Sequence, residues 1–473
     1  MDNITDLCAV ELSAAIHAGN VSCRSVMAAY LARIEALNPK INAIVSLRDE
    51  SDLMAEAEAA DRALAEGCSR GWLHGVPFAV KDLSEAKGLR CTYGSQIYQD
   101  FVPDFDDIHV ERIRAAGAII IGKTNAPEMG LGSHTYNDVF GATHNPYDLT
   151  KSAGGSSGGA AAALAARLVP VADGSDMMGS LRNPAAFNNV IGFRPSFGRV
   201  PSLGNELYLG QHAVNGPMGR CVADVAALLA TQAGYDARDP LSLPTEEMFP
   251  VERTDFSGAK IGWLGDHGGH LAFEPGVLEL CREALGVFSA LGASVSDVQA
   301  GFDMDRLWWG WRTYRHLLVA GGQGADYADA ARRARMKPAM IWEIENGQDL
   351  SARDVLAASA IRSDWYRYVL ELFQTFDFLI LPSAQVFPFD VTLQWPKEIA
   401  GRAMDTYHRW MEVVIGPTMA GLPVAAMPAG FGDNGLPAGI QIIGRPRADK
   451  LVLQMAAAYE AQVDWLRRLP SIA

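Results

Sequence analysis

The feature that most constrains the fold of this chain is the alternation of strand-like and helical segments. A short apolar run over 76–80 resembles a buried strand, and a helical pattern over 110–116 is followed by a strand-like run over 118–121. An Ala-rich helical segment over 160–168 is followed by another apolar run over 169–172. Repeated alternation of this kind is typical of α/β proteins. The sequence therefore predicts an α/β fold.

No internal repeat or low-complexity linker divides the chain, so we expect a single domain over 1–473. Apolar residues at helical spacing predict N-terminal helices over 1–65, the second of which ends at Asn38-Pro39. The stretch 70–200 shifts towards Gly, Ser and Ala and carries the residues suited to chemistry. The stretch 240–410 is more helical and richer in Trp and Arg, and we expect it to form the substrate pocket.

Composition excludes several classes of protein. A net charge of −15 disfavours binding to nucleic acid, and 49% hydrophobic with 20% charged residues excludes a disordered chain. The longest apolar runs fall short of the roughly 18 residues that a membrane span needs. The N-terminus carries Asp2 and Asp6 instead of a basic, hydrophobic leader, and the six cysteines contain no CxxC pair. We expect a cytoplasmic protein with free thiols and no nucleic-acid or membrane partner.

Three motifs resemble functional patterns without the surroundings that those functions need. Residues 117–124 fit the phosphate-loop pattern, but the middle positions are Ala and three Ile, which favour a core strand over a phosphate-binding curl. Residues 154–158 fit the GxSxG nucleophile elbow, but no apolar run precedes them and no later His has a recognisable context. His267 and His270 are separated by two glycines, which predicts a surface loop rather than a metal site.

Three segments are harder to explain by structure alone. Lys81 ends an apolar strand, where a charged amine is costly. Ser156 and Ser157 lie in a Gly-rich loop, and Ser180 lies in a turn within 173–184. A serine nucleophile needs a base, and a buried lysine can serve when its pKa is lowered. A second serine can relay the proton, and backbone N–H groups just before Ser180 can stabilise an oxyanion.

On these residues the chain resembles the amidase signature family, which uses a Ser–cis-Ser–Lys triad. The Gly-Ser loop over 154–159 and the segment over 174–182 match its two signature segments, and the spacings fit. The resemblance extends to 122–128, 187–198 and 421–441, and thus covers nearly the whole chain. It implies an α/β/α sandwich around a large twisted mixed β-sheet, with a catalytic triad of Lys81, Ser156 and Ser180.

The resemblance also assigns the residues around the triad. The supporting residues are Ser157, Ser175, Asp176 and Arg182, and the oxyanion hole comprises the backbone N–H groups of Met177, Met178, Gly179 and Ser180. One departure concerns Met178, which stands where the family usually has glycine. A side chain is compatible with a backbone donor at this position as long as φ stays negative.

Substrate identity is the least constrained property. Four aromatic residues within 308–314 predict either a stacking surface for an aryl group or helix core packing. Together with two methionines they form the predicted pocket set: Met129, Met178, Trp308, Trp309, Trp311 and Tyr314.

The resemblance implies hydrolysis of amide-type C–N bonds through an acyl-enzyme on Ser180, without a metal or an organic cofactor. We expect neutral, aryl-containing amides as substrates, with aryl carbamates (urethanes) also open to the same chemistry. The alternatives are a glutaminase subunit of a tRNA-dependent amidotransferase, an esterase, and a non-catalytic binding module on the same scaffold. The expected state is a monomer or a homodimer with a small-molecule substrate.

Overall fold

Helices form the N-terminal segment and most of the stretch from 304 to 375, as the sequence predicts. The computed structural model describes residues 4–204, 206–252 and 254–472. Its α-helices are α1 (Ala9–His17), α2 (Cys23–Ile41), α3 (Glu50–Ala65), α4 (Ile108–Ala115), α5 (Gly158–Ala165), α6 (Arg182–Asn188), α7 (Val222–Gln232), α8 (Val277–Glu283), α9 (Gly286–Ala290), α10 (Met304–Ala328), α11 (Ala330–Arg333), α12 (Pro338–Gln348), α13 (Ala352–Thr375), α14 (Ile415–Met419) and α15 (Asp449–Glu460).

Strands alternate with these helices along the chain. They are β1 (Ile44–Val45), β2 (Pro77–Lys81), β3 (Ile119–Thr124), β4 (Tyr136–Asn137), β5 (Gly141–Ala142), β6 (His144–Asn145), β7 (Asp148–Ser152), β8 (Ala172–Asp176), β9 (Ile191–Arg194), β10 (Val214–Gly219), β11 (Lys260–Trp263), β12 (Ser294–Asp297), β13 (Phe378–Pro382), β14 (Glu398–Ile399), β15 (Arg402–Ala403), β16 (Val424–Phe431) and β17 (Pro437–Ile443).

The core is an eight-stranded mixed sheet in the order β12-β11-β13-β17-β16-β9-β10-β8. The three strands at the β12 end pair in parallel, and the remaining pairs are antiparallel. A smaller sheet of order β1-β3-β2 lies beside β8, and the Lys81 N–H of β2 donates to the Asp173 carboxylate of β8 at 3.0 Å. This mixed sheet covered by helices confirms the predicted α/β fold.

Two predicted boundaries are wrong by a few residues. Helix α2 continues through Pro39 to Ile41 and ends at Asn42, whose φ of 56° is left-handed. Pro39 is tolerated because it lies in the last turn of α2, where little helix follows it. Strand β8 begins at Ala172 rather than at 169, since Pro170 has no N–H to donate to a neighbouring strand.

The segment with the phosphate-loop pattern is a buried strand. Residues Ile119–Thr124 form β3, and every side chain in it is buried. Its pairing with β1 on one side and β2 on the other leaves no curled loop for a phosphate. The predicted core strand is confirmed.

No helix among the described residues combines the length and the apolar character needed to cross a membrane.

Candidate active site

A buried lysine lies at the centre of the candidate site. Lys81 is the last residue of β2 and is fully buried. Its Nζ lies 2.8 Å from the Oγ of Ser156, 2.8 Å from the Oγ of Ser157 and 3.0 Å from the Oγ of Ser175. Burial lowers the pKa of the Lys81 amine from 10.5 to about 7, and Asp173 and Asp176 only partly offset that effect. An amine in this setting is ready to exchange protons with hydroxyl groups.

The loop before α5 positions two of these hydroxyl groups. Ser156 follows Gly155 through a cis peptide bond, and Ser157 directly precedes the first residue of α5. The Ser157 N–H donates to the backbone oxygen of Ser180 at 3.2 Å. This bond ties the Gly-Ser loop to the turn that carries Ser180.

That turn is stabilised by a carboxylate with two arginine partners. Asp176, the last residue of β8, accepts from Arg182 through both oxygens at 2.9 Å and from Arg194 at 3.0 Å, and all three side chains are fully buried. Burial alone would raise the pKa of Asp176, but the two guanidinium groups more than reverse this and hold its pKa well below the usual range. The Asp176 carboxylate therefore stays ionised and holds the turn.

The same carboxylate occupies one of the predicted oxyanion donors. The Gly179 N–H donates to Asp176 at 2.9 Å, so the prediction that it faces an oxyanion is wrong for this conformation. The N–H groups of Met177, Met178 and Ser180 donate to no protein acceptor in the described part of the chain. Met178 is not among the residues with positive φ, so its side chain is compatible with a backbone donor there.

The final link of the triad is not formed as a hydrogen bond. Among the described residues no hydrogen bond joins the hydroxyl groups of Ser156 and Ser180, although both residues are buried. Hydrogen bonds between catalytic groups are often long without substrate and tighten when it binds. The structure thus brings Lys81, Ser156, Ser157 and Ser175 into direct contact and places Ser180 next to them through backbone bonding.

A narrow cavity lies over Ser180. It encloses about 20 Å³, which is room for about one water molecule. Met178 and Trp311 line it, as predicted. The other lining residues are Gly130, Gly132, Met177, Ser180, Arg315, Tyr407, His408 and Met411.

Four members of the predicted pocket set do not line this cavity. Trp308 is buried behind Trp311, with the ring centroids 5.2 Å apart. Trp309 is 37% exposed on the far side of α10. Tyr314 faces a separate cleft, and Met129 packs against Leu131 and its neighbours. Trp308 shares a helix face with Trp311 but is stacked behind it. Trp309 points elsewhere because a helix rotates about 100° per residue, and Met129 belongs to a different segment of the chain.

The structure also places a charged group in the cavity that the sequence did not predict. Arg315 of α10 donates to the Glu343 carboxylate of α12 at 3.2 Å, to the Tyr407 hydroxyl at 3.2 Å and to the Met177 sulfur at 2.8 Å. Glu343 also accepts from Tyr407 and contacts His316, both at 2.5 Å. Burial would raise the pKa of Glu343, but its contacts with His316, His408 and Arg315 lower it well below the usual value. The guanidinium charge is thus matched by a carboxylate.

A second cavity adjoins the first. It encloses about 60 Å³ and is lined by aromatic residues including Tyr136, Trp395 and Trp410. Tyr407 and Gly132 line both cavities, and a side chain added at Gly132 would meet the Tyr407 ring at 3.7 Å. The Tyr407 ring is therefore the wall between the catalytic cavity and the outer one.

The two remaining sequence motifs acquire simple explanations. The short strand β7 precedes the GxSxG segment, but it is the polar run Asp148–Ser152, in line with the prediction that no apolar run precedes the segment. It pairs with β6 in a two-stranded sheet, has one bridge from Lys151 to Asp390, and is not part of the central sheet. His270 contacts the Glu412 carboxylate at 2.8 Å. Within the described residues, the one set of three His, Cys, Asp or Glu ligand atoms within 4.8 Å of one another is Cys8, Cys221 and Asp224, away from this site.

Sequence comparisons agree with this arrangement. The family model described as Amidase matches residues 25–453. The chain belongs to the amidase family. An acylamidase of Rhodococcus erythropolis is 35% identical to this amidase, over 99% of this chain and 98% of the relative. A glutamyl-tRNA(Gln) amidotransferase subunit of Myxococcus xanthus is 34% identical, over 98% of this chain and 99% of the relative.

Comparison with solved structures identifies the same family. The crystal structure of a bacterial aryl acylamidase of the amidase signature family superposes with a TM-score of 0.91 and 30% identity, covering 98% of this amidase and 97% of that chain. A 6-aminohexanoate cyclic dimer hydrolase superposes with a TM-score of 0.87 and 26% identity, covering the full length of both chains. The fold is that of an amidase signature hydrolase.

Proposed function

We propose that this amidase cleaves neutral aryl amides through an acyl-enzyme on Ser180. The Ser180 Oγ attacks the substrate carbonyl, and its proton passes through the Ser156 hydroxyl to the Lys81 amine. The leaving amine takes a proton back along the same path, and water then hydrolyses the ester on Ser180. Every step uses groups of the chain itself.

The contacts of Lys81 support its role as the base. A neutral amine has two N–H donors and one lone pair, and Lys81 has three hydroxyl neighbours within 3.0 Å. The amine can therefore donate to two of them and accept from the third. A pKa of about 7 keeps a large fraction of the amine neutral near physiological pH.

The unoccupied N–H groups support an oxyanion hole at the nucleophile turn. The backbone donors of Met177, Met178 and Ser180 are fixed before substrate arrives, because the Asp176 carboxylate holds the turn that carries them. Donors that are already in place need no reorganisation when charge develops on the carbonyl oxygen. We assign these three groups to the oxyanion and leave Gly179 to Asp176.

The single observation that carries the substrate assignment is the cavity wall. Trp311, Met178 and Met411 make it largely apolar, and the positive charge of Arg315 is balanced by Glu343. A substrate carboxylate would lose its hydration without gaining an unpaired cation. A neutral aryl group instead gains apolar contact and a stacking partner. The similarity to an acylamidase and to an aryl acylamidase supports the same class.

An additional donor extends the proposal to aryl carbamates. The indole N–H of Trp311 is buried and has no hydrogen-bond partner among the described residues. An unpaired buried donor is costly, and a substrate oxygen that accepts from it recovers that cost. A carbamate offers one more oxygen than an amide. After cleavage, the carbamic acid product would lose carbon dioxide.

The second candidate is the glutaminase component of an amidotransferase. It is favoured by the 34% identity to the Myxococcus xanthus amidotransferase chain along nearly the full length. That role requires binding of glutamine, whose charged groups would enter this cavity. An ester would meet the same nucleophile, so esterase activity is a third reaction to measure.

A substrate panel tests the proposal. Purified chain is assayed with a neutral anilide, an aryl carbamate, an aryl ester, a primary aliphatic amide and glutamine, and kcat/KM is compared. We expect the anilide and the carbamate to exceed glutamine by at least about a hundredfold, in line with the cost of burying a charge. Equal or higher efficiency on glutamine would replace the proposal with the amidotransferase role.

Variants of the triad test the mechanism separately from the substrate. Ser180→Ala should abolish turnover, and Ser156→Ala and Lys81→Ala should each lower kcat by several orders of magnitude. Because the three residues act as a unit, the double variants should lose little more than the single ones. A serine-directed fluorophosphonate should label Ser180, as mapped by peptide mass spectrometry. Labelling of Ser157 instead would disprove the assignment of the nucleophile.

A further inference from the structure

The N-terminal ends of helices α1 and α7 meet on the side of the molecule that carries the N-terminal helices. Cys8 directly precedes α1, and Cys221 directly precedes α7. Asp224 lies in the first turn of α7, and its two oxygens accept the N–H groups of Ala9 and Val10 at 2.9 Å each. The sulfur atoms of both cysteines and a carboxylate oxygen of Asp224 all lie within 4.8 Å of one another.

The two cysteines of this cluster lie at the surface, and Asp224 is buried behind them. Cys8 and Cys221 are partly exposed and line a cleft of about 630 Å³. Both sulfur atoms are free, and neither cysteine contributes to the candidate active site. A small solute can therefore reach them without any opening of the fold.

We propose that Cys8, Cys221 and Asp224 bind one zinc ion at this junction. Thiolate sulfur and carboxylate oxygen are both zinc ligands in proteins. With a zinc–sulfur distance of about 2.3 Å, two thiolates on a tetrahedral ion lie roughly 3.8 Å apart, within the spacing seen here. A carboxylate offers about four lone-pair sites, so Asp224 can bind the metal while it keeps both N–H partners.

The fourth ligand is a water molecule from the cleft or Glu460. Glu460 lines the same cleft and accepts the Val222 N–H at 3.0 Å.

The charges and protons balance. Zinc binding releases one proton from each thiol, because a thiol must lose its proton to bind a metal. With water as the fourth ligand, the two thiolates, the Asp224 carboxylate and the divalent cation leave one net negative charge, and Glu460 as the fourth ligand adds one more. The Arg220 guanidinium, which lines the same cleft, opposes that charge.

A metal here would cross-link the N-terminal helix to the core. Helix α1 and helix α7 are far apart in sequence, and the ion would join their first turns. Because the unfolded chain holds no such site, zinc binding should stabilise the folded state. The role is structural, and it goes beyond the proposed hydrolysis.

The experiment compares zinc binding by wild-type protein and three serine variants. Reduced, chelator-treated protein is titrated with zinc chloride against a chromophoric chelator, and Tm is measured with and without zinc. We expect wild type to bind one equivalent with a higher Tm, and Cys8→Ser and Cys221→Ser to lose both effects. Cys68→Ser is the matched control, because Cys68 is exposed and lies outside the cluster; it should behave as wild type.

Three results would overturn the proposal. One is binding of much less than one equivalent by wild type. Another is retention of binding in Cys8→Ser and Cys221→Ser together. The third is a Cys8–Cys221 disulfide in the protein as purified, which thiol titration and mass spectrometry would show. The Tm measured without zinc is the check that each variant is folded. Because this check does not use turnover, failure of the proposed function and failure of the zinc site are measured independently.

Discussion

The protonation state of the Lys81 amine is determined by where the residue lies in the fold. In water its amine would be protonated at any physiological pH. At the end of β2 it is shielded from solvent, and no carboxylate of the described residues forms an ion pair with its Nζ. Three serine hydroxyl groups surround it instead. Hydroxyl groups satisfy a neutral amine without favouring the charged form as strongly as a carboxylate would. This environment keeps a large fraction of the amine unprotonated near neutral pH.

The pH profile should report this environment. The base must be neutral to accept the Ser180 proton, so log(kcat/KM) should rise by about one per pH unit below an apparent pKa near 7 and level off above it. The measurement is kcat/KM on a neutral anilide between about pH 5 and pH 9, a range that extends well to either side of the expected apparent pKa. Ser180→Ala gives the background at each pH. An optimum below about pH 6 would point to a carboxylate base.

We expect Tyr407 to limit the length of substrate that the cavity over Ser180 can take. Its ring separates two cavities of about 20 and 60 Å³. Tyr407→Ala should join them and raise kcat/KM for an anilide with a long para-alkoxy chain, relative to the unsubstituted anilide, by at least about tenfold. Tyr407→Phe removes only the hydroxyl that contacts Glu343 and Arg315. It should therefore leave that ratio unchanged.

The ratio separates this role from a merely structural one. If the substitutions only disturbed the Arg315–Glu343 contacts, kcat/KM on both anilides would fall in Tyr407→Ala and in Tyr407→Phe, and the ratio between the two anilides would stay the same. An unchanged ratio in Tyr407→Ala, or the same shift in both variants, would contradict the assignment of Tyr407 as the wall.

At the scale of elements, α10 shows what the sequence could and could not predict. The aromatic cluster was visible, and helical spacing indicates which residues share a face: Trp308, Trp311 and Arg315 recur at three- and four-residue intervals. Which face meets the active site depends on α12 and on the segment around Tyr407. Those neighbours come from distant parts of the chain, so the Arg315–Glu343–Tyr407 contacts could not be derived from local patterns.

Helix α5 lies very close to the backbone that directly follows β3. A Cβ at Gly159 would lie 2.3 Å from the N and 2.5 Å from the O of Asn125, both of which are backbone atoms. Gly159→Ala should therefore push α5 off β3 and lower the free energy of unfolding by about 1–3 kcal/mol or more. Urea denaturation measures this change.

The control uses the same substitution in open space. Gly321 lies inside α10 with nothing within 4 Å of an added Cβ. Gly321→Ala should stabilise the protein by up to about 1 kcal/mol, because alanine is the better helix former. Equal effects at the two positions would show that crowding at Gly159 is relieved by local movement.

At the scale of the whole molecule, Asp176 connects elements that are far apart in sequence. Through Arg182 it reaches the Val414 oxygen, the Thr418 hydroxyl of α14 and the Gln441 amide of β17. Through Arg194 it is joined to β9. The nucleophile turn is therefore anchored in the middle of the large sheet.

Asp176→Asn should be strongly destabilising. It leaves two buried guanidinium groups facing a neutral amide, which costs about 3–5 kcal/mol. Asp364→Asn is the matched control, since Asp364 also contacts two arginines, Arg306 at 2.6 Å and Arg367 at 3.0 Å, but on the surface. It should cost less than about 1 kcal/mol. Thermal and urea unfolding of both variants measure the difference, and similar losses would contradict the role of burial.

The fold class and the residues around Lys81 could be predicted because their signals are local. Strand-like runs, a Gly-Ser loop and the spacing of Lys81, Ser156 and Ser180 are all properties of short segments. The loss of the Gly179 donor to Asp176 could not be predicted, because it depends on the orientation of a single peptide group. The cavity wall could not be predicted either, since residues from four separate segments of the chain form it.

The division of labour between segments has an evolutionary consequence. The lysine and serines, together with most of the residues that hold them, come from 77–194, whereas half of the residues that line the cavity come from 311–411. Selection can therefore exchange the walls while the reactive groups stay as they are. Relatives with about one third identity include an acylamidase and one component of an amidotransferase. A scaffold of this kind diversifies by replacing the part that recognises the substrate and inheriting the part that breaks the bond.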